Sequence, residues 1–269
     1  ELRLLGLAHF NHQLRSDARR DEQVCADLAG GLGVGFLADR EDVGALARAA
    51  KRSVEYAARV ARYEFLERAR QHFGADVVAT GHTRDDQAET FLLRLIRGAG
   101  ARGLASIHPR RDTIVRPIID CRRADLRQYL DNRGFSYVHD VTNEDVSIPR
   151  NRVRAELLPL LERRFNPGIV DALADAADVA RDEWLWSSMA AADALGEVSR
   201  KESGRIRLDT AGLEVLPRAL RRSVLWEALN EAAGGRPIAF SHVEAVMDLL
   251  EGADGPIDLP GQRVQRVGA

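Results

Sequence analysis

Thr80-Gly81-His82-Thr83-Arg84-Asp85-Asp86-Gln87-Ala88-Glu89-Thr90 decides the fold of this chain. It is preceded by Asp76-Val77-Val78-Ala79, a short apolar run that predicts a buried strand. It is followed by apolar residues at helical spacing over residues 84–96. Thr83 suits the N-cap of that helix, with Asp86 three residues on, and Gly98 suits the position just past its end. In open parallel sheets, ligands bind outside the carboxyl ends of the strands, so a strand-to-helix junction is a favoured place for a site. His82 then stands at the strand end, and Asp85 and Asp86 in the first helical turn. Two carboxylates there offset the helix dipole, which is a structural role. A carboxylate at that edge also suits holding Mg²⁺ through water or taking a proton from a nucleophile. Spacing alone favours the structural role.

Working outward, strand and helix patterns alternate. Residues 4–9 and 34–38 predict strands, residues 17–32 a helix, and residues 45–72 one long helix carrying Leu46, Ala50, Val54, Ala57, Val60, Ala61 and Phe65. Residues 114–119 and 122–133 repeat the strand-then-helix pattern. Such alternation predicts an α/β fold, a parallel sheet with helices on both faces. The pattern changes at Asn166-Pro167-Gly168. Residues 169–198 predict one long helix, followed by a polar hairpin, helices near 217–233 and 241–251, and a strand and turn at the end. We therefore expect an α/β domain over residues 1–166 and a mostly α-helical second domain over residues 167–269.

Composition narrows the class. At 45% hydrophobic and 30% charged residues the chain has the balance of a soluble globular protein. No run of 18 apolar residues suggests a membrane span, and no secretory signal is visible, so a cytoplasmic location is expected. Cys25 and Cys121 lie far apart, which predicts neither a disulfide framework nor a thiolate metal site. The net charge of −2 hides a division: residues 1–93 carry −2, residues 94–164 carry +6 and residues 165–269 carry −6. A basic middle suggests a local anion-binding face. A solvated face accounts for it equally, in a chain whose only lysines are Lys51 and Lys201.

Several features need weighing. Gly98-Ala99-Gly100-Ala101-Arg102-Gly103 is a literal G-x-G-x-x-G, but it closes a helix where a dinucleotide fingerprint opens one. It is expected as a helix stop and loop. Gly30-Gly31-Leu32-Gly33 is expected as a helix end. Arg150, Arg152 and Arg154 follow Pro149; guanidinium groups grip phosphate oxygens in pairs, and a solvated basic face is the alternative. His139 has no identifiable partner, and His242 is expected to be structural. Trp184 and Trp186 are expected in a core or domain interface.

The quoted string resembles the corresponding motif of the tRNA(Ile)-lysidine synthetases, members of the PP-loop ATP pyrophosphatase superfamily. Further matches follow in the same order. His9-Phe10-Asn11-His12-Gln13-Leu14-Arg15 resembles the family's H-x-x-H-x-L-R segment, and Ala57-Ala58-Arg59-Val60-Ala61-Arg62-Tyr63-Glu64-Phe65-Leu66 its A-R-x-x-R-Y-x-F-L helix. Residues 92–104 match L-L-R-L-x-R-G-x-G-x-x-G-L. Arg116-Pro117, His139-Asp140-Val141-Thr142-Asn143 and Pro149-Arg150-Asn151-Arg152-Val153-Arg154 complete the catalytic part. The likeness is strong to about residue 167 and looser beyond.

The resemblance implies a tRNA-modifying ligase. ATP activates the C2 oxygen of the wobble cytidine of a minor isoleucine tRNA as an adenylate, and the ε-amine of free L-lysine then displaces AMP. ATP and Mg²⁺ are the implied cofactors, and a homodimer is an expectation of the same kind. Carried over by motif, Asp86 and His82 are the catalytic candidates, with Asp86 also a candidate Mg²⁺ ligand. Asn11, His12, Arg15 and His82 would border the nucleotide. Arg94, Arg97, Arg150, Arg152 and Arg154 would meet ATP or tRNA phosphate. The family's S-G-G-x-D-S loop does not occur in the 269 residues, and it is expected to precede Glu1. Backbone N–H groups of such a loop bind pyrophosphate, so this chain as it stands is expected to bind ATP poorly and to make no lysidine. Two rivals stay open: another PP-loop tRNA-modifying enzyme such as a thiolase, and a tRNA-binding module without catalysis.

Overall fold

A computed structural model describes residues 3–13, 18–138, 141–202 and 204–267, so Arg15 and His139 lie outside the described residues. Strands β1 (Gly6–Asn11) and β2 (Gly35–Arg40) pair in parallel, with Gly6 opposite Gly35 and Asn11 opposite Arg40. Helix α1 (Ala18–Leu32) makes the crossover that parallel strands require. It stops at Gly33, whose φ of +67° suits glycine. The paired glycines at the start of the two strands make room for an aromatic ring. A Cβ on Gly6 would lie 2.7 Å from the Phe73 ring, and one on Gly35 would lie 2.6 Å from it.

Residues 45–72 were expected as one helix and form two, α2 (Val43–Ala50) and α3 (Val54–His72). Lys51 adopts a left-handed conformation, and the Ser53 side chain accepts from Tyr56 N to cap the second helix. Apolar spacing runs across the break undisturbed, so periodicity alone conceals it; the cap residue is the local signal. Phe10, Val43, Ala61, Phe65 and Ala69 close a core between these helices and the first strand.

Strand β3 (Val78–Ala79) precedes α4 (Arg84–Ile96), which begins and ends where expected. Gly98, at φ +76°, stops it. The segment expected as a loop then forms one helical turn, α5 (Ala101–Leu104). Strands β4 (Arg110–Arg111) and β5 (Ile114–Val115) complete a three-stranded sheet, β5 parallel to β3 and antiparallel to β4. Helix α6 (Arg123–Asn132) follows, then a 3₁₀ turn (Val141–Glu144). Next comes a run composed of α7 (Pro149–Arg152), a π turn (Val153–Leu157) and α8 (Leu158–Arg164). Pro159 has no N–H for the carbonyl four residues back, and the wider turn before it accommodates its ring. Ala88, Leu92, Val153, Leu158 and Val170 pack this run against α4.

Helix α9 (Ile169–Val198) spans the predicted range, and β6 (Ser199–Glu202) and β7 (Arg205–Leu208) form the predicted hairpin. Helices α10 (Thr210–Glu214), α11 (Arg218–Ala232) and α12 (Phe240–Leu250) lead to the hairpin of β8 (Ile257–Leu259) and β9 (Gln262–Val264). The first half is thus α/β with parallel strand pairs, and the remainder is mostly helical. Two compact units result: Glu1–Arg97 with Ser106–Ala174, and Gly98–Ala105 with Asp175–Ala269. Leu213, Val224, Leu225, Val243, Val246 and Met247 form the core of the second. Trp186, expected in a core or domain interface, is instead 73% exposed. No helix among the described residues is long and apolar enough to cross a membrane.

The glycine pair yields a test. Gly35→Ala should destabilise the protein by about 1–3 kcal/mol, the usual cost of overpacking. Adding Phe73→Leu should recover part of that loss in urea unfolding. Equal midpoints for Gly35→Ala and the parent would show that the ring has room to move.

Candidate active site

The strands β1, β3 and β5 deliver polar residues at or just beyond their carboxyl ends: Asn11 and His12, Thr80 and His82, and Arg116. Helix α4 opens beside them with a capping box. Asp86 Oδ2 accepts from Thr83 N and from Thr83 Oγ1, each at 2.8 Å. The helix then sets Asp86 and Glu89, three residues apart, on one face.

Glu89 has no solvent exposure, and three arginines enclose it. Arg123 Nη2 donates to Glu89 Oε1 (3.2 Å) and to Asp86 Oδ1 (3.1 Å). Arg150 Nε donates to Glu89 Oε2 (2.8 Å) and its Nη2 to Asp86 Oδ1 (3.0 Å). Arg154 donates to both oxygens of Glu89, from Nε at 2.6 Å and Nη2 at 2.9 Å. Arg150 and Arg154 are four residues apart, so the helical run presents both on one side. The buried Asn151 holds that run in place, its Nδ2 donating to the carbonyls of Thr142 (2.8 Å) and Asp145 (3.1 Å).

Asp85 has a separate task. Its Oδ2 accepts from the backbone N–H of Arg123 at 2.7 Å, capping a helix whose N-cap residue, Arg122, makes no side-chain cap of its own. Arg84 N donates to Cys121 O at 2.9 Å. Arg84 and Arg122 both donate to the carboxylate of Asp171, at 2.6 and 3.1 Å. These bonds join the first turns of α4, α6 and α9.

A second group of cations lies toward the strand ends. Burial pushes His82 down to about 4, aided by the charges of Arg116, Arg62 and Arg150 against the pull of Asp86. His82 is therefore neutral near pH 7, and its Nδ1 is 3.0 Å from Thr80 Oγ1. Burial also lowers His12, as do Arg62 and His9. Arg62 is lowered by burial and by neighbouring Arg59 and Arg150. Arg116 donates to His108 O (2.6 Å) and Tyr63 Oη (3.3 Å). Among the described residues, the buried Nε of Arg116 and Nδ1 of His12 have no hydrogen-bond partner. A lining with such a surplus of positive charge and idle buried nitrogens suits an anion.

The predicted site residues divide accordingly. Asp86, Arg150 and Arg154 meet at Glu89, while His12 and His82 share the electrostatic influence of Arg62. Asn11 is buried and its Oδ1 accepts from Gln13 N at 2.9 Å, shaping the turn after β1. Arg94 donates to Ser106 O at 3.2 Å. Arg97 is exposed at the end of α4, and Arg152 is exposed with its Nε on Val146 O at 3.0 Å. Burial raises the Asp86 carboxyl, but Arg150, the two Thr83 hydrogen bonds and Arg123 outweigh it, and the pKa falls below the usual value. Both Asp86 oxygens are occupied by donors, and the described residues contain no group of three metal-binding side chains. Asp86 in this setting does not fit a magnesium ligand. Glu89, Arg62, Arg116 and Arg123 received no role from sequence, although the first three stand inside motifs already quoted.

Residues 1–161 match the PP-loop domain family, and the chain belongs to that family. Over most of its length it is similar to tRNA(Ile)-lysidine synthases. It is 39% identical to that of Geobacter sulfurreducens over 268 residues, covering 97% of this chain and 57% of the relative. It is 42% identical to that of Thermobifida fusca over 214 residues, covering 78% of this chain and 64% of the relative. The chain thus spans a little over half the length of these relatives. The U34-tRNA thiolase NcsA from Methanococcus maripaludis, solved with its 4Fe-4S cluster, has a similar fold. Its TM-score is 0.53 at 13% identity, covering 66% of this chain and 62% of that one.

Two outcomes follow from the charges. Glu89→Gln should cost about 3–5 kcal/mol in urea unfolding, because it leaves the facing guanidiniums uncompensated. A change within error of zero would mean that Glu89 is not needed to hold them. The folded value of His82, about 4, lies below the ordinary 6.5. Its contribution to stability is therefore complete above about pH 6.5 and fades as pH falls toward 4. His82→Gln should flatten the acid limb of the stability curve across that window; an unchanged slope would contradict the assignment.

Proposed function

We propose that the full-length protein is a tRNA(Ile)-lysidine synthase, in which this chain supplies most of the nucleotide-binding domain and part of a substrate-binding one. The observation that carries the proposal is the uncompensated cationic lining at the strand ends, with the free buried nitrogens of His12 and Arg116. It suits a triphosphate, and it occurs in a PP-loop chain whose relatives bear that name.

In this reading ATP supplies the adenylyl group, which the C2 oxygen of the wobble cytidine takes as pyrophosphate leaves. The ε-amine of free L-lysine then attacks C2 and AMP departs. Arg62 and Arg116 offset charge on the phosphates. Glu89 and Asp86 hold Arg123, Arg150 and Arg154 before the substrates arrive, so no reorganisation is needed as charge develops. Asp86 is a weak proton acceptor, since its pKa is depressed by the same arginines. Its role is to orient them. His82, neutral and bonded through Nδ1 to Thr80, offers Nε2 to the nucleotide.

ATP–pyrophosphate exchange by the full-length protein should require the minor isoleucine tRNA. Asp86→Asn should abolish lysidine formation and leave tRNA affinity nearly unchanged, while Arg62→Ala and Arg116→Ala should raise the KM for ATP about tenfold or more. Exchange without tRNA would point to a small-molecule adenylating enzyme, and tRNA binding without exchange to a binding module. Normal turnover by Asp86→Asn would remove its assignment.

A further inference from the structure

Helix α6 has no buried residue, yet it carries an ordered set of aromatic and cationic side chains. Tyr129 is 53% exposed, with the Arg133 guanidinium over its ring at 5.0 Å from the centroid. Gly134, at φ +69°, then ends the helix. Its N–H reaches Asp131 O, and that of Phe135 reaches Leu130 O at 3.0 Å. This paired closure fixes the direction in which the chain leaves. Phe135 and Tyr137 follow, 55% and 47% exposed, and the Arg127 guanidinium lies over the Tyr137 ring at 5.9 Å. Among the described residues, neither Arg127 nor Arg133 has a carboxylate partner.

This face is continuous with the site. A cavity of about 250 Å³ is lined by Arg127, Tyr137 and Val138 together with Asn143, Glu144, Arg123 and Arg154. Arg123 and Arg154 are two of the three arginines that enclose Glu89. We infer that Tyr129, Phe135 and Tyr137, with Arg127 and Arg133, form a stacking platform for unpaired bases of an RNA loop, whose neighbouring nucleotide is delivered toward Arg123 and Arg154. Exposed rings accept the faces of any base, and uncompensated guanidiniums both stack on bases and meet the backbone phosphates between them. Arg123, Arg127 and Arg133 outnumber Asp125 and Asp131 over residues 123–138, and two of these guanidiniums standing over exposed rings favour RNA over a protein surface as the occupant. The inference deepens the function proposed above and rests on it for the identity of the RNA, the anticodon loop.

The test measures binding of RNA to the full-length protein without ATP. The probes are the isolated anticodon stem-loop of the minor isoleucine tRNA, a hairpin with an unrelated loop, and a blunt duplex of equal length. Tyr129→Ala and Tyr137→Ala should each weaken binding of the stem-loop by about tenfold or more. Tyr137→Phe should bind as the parent does, and the duplex should be held equally by all. Stem-loop affinity unchanged in both alanine variants would overturn the platform, as would equal losses for stem-loop and duplex. Tyrosine-dependent binding of the unrelated hairpin with none of the isoleucine stem-loop would keep the platform and sink the proposed substrate. The side chains are exposed, so the variants should melt with the parent.

Discussion

A carboxylate sealed from water must find its compensation inside the protein, and Glu89 finds it in three guanidiniums. Stripping an ion of water costs several kcal/mol even after relaxation, and only well-aligned partners offset that cost. Arg123 comes from the start of α6, Arg150 from α7 and Arg154 from the π turn. Removing any one takes hydrogen bonds from a carboxylate that has no water of its own to replace them. Three chain segments between 34 and 65 residues distant in sequence are consequently held to one face of α4. The interaction is a poor source of net stability and a strong source of position.

Position is what the neighbouring chemistry requires. Glu89 and Asp86 together bring two negative charges against three positive ones, so the cluster keeps a cationic surplus. Arg62 and Arg116 add to it from the side of the strand ends. Burial first, and then the field that prepares the lining for an anion, depresses His82, while the arginines and the Thr83 hydrogen bonds hold Asp86 below its ordinary value. A neutral imidazole and a firmly ionised carboxylate are poor proton acceptors near pH 7. The geometry therefore favours electrostatic organisation over general-base chemistry at these two residues. That distinction rests on burial and on charges from remote segments as well as on the Thr83 cap, and of these only the cap lies within the eleven-residue string.

The sequence was legible where the physics is local. The Thr83 cap, the limits of α4 and α9, and the β6–β7 hairpin all depend on neighbours within a few residues. The break at Lys51 was also local, but an intact apolar period over residues 46–65 masked it. Tertiary pairing was not legible. Arg150 and Arg154 look in sequence like free phosphate ligands, and they turn out to carry ion pairs with Glu89. Glu89 looks like one more helical acid until its burial is known. The basic count over residues 94–164 likewise mixes arginines spent on Glu89 and Asp171 with others, Arg127 and Arg133 among them, that remain available.

The location of α6 shows how far the buried cluster reaches. Helix α6 has no fully buried residue, Leu126 and Leu130 being only partly covered, so it gains less from the hydrophobic effect than most docked helices. Its anchors are polar and lie at one end. The backbone N–H of Arg123 is capped by Asp85, and the Arg123 guanidinium is held by Asp86 and Glu89. Both attachments come from the first two turns of α4. The adjacent carboxylates thus divide their work: Asp85 fixes the backbone of α6, and Asp86 fixes the side chain that α6 presents. Both carboxylates stand in the first turn of α4, as the dipole reading expects, and Asp85 also satisfies the N-terminus of α6. The residues further along α6, from Arg127 to Arg133, are placed by that junction together with the partly buried Leu126 and Leu130.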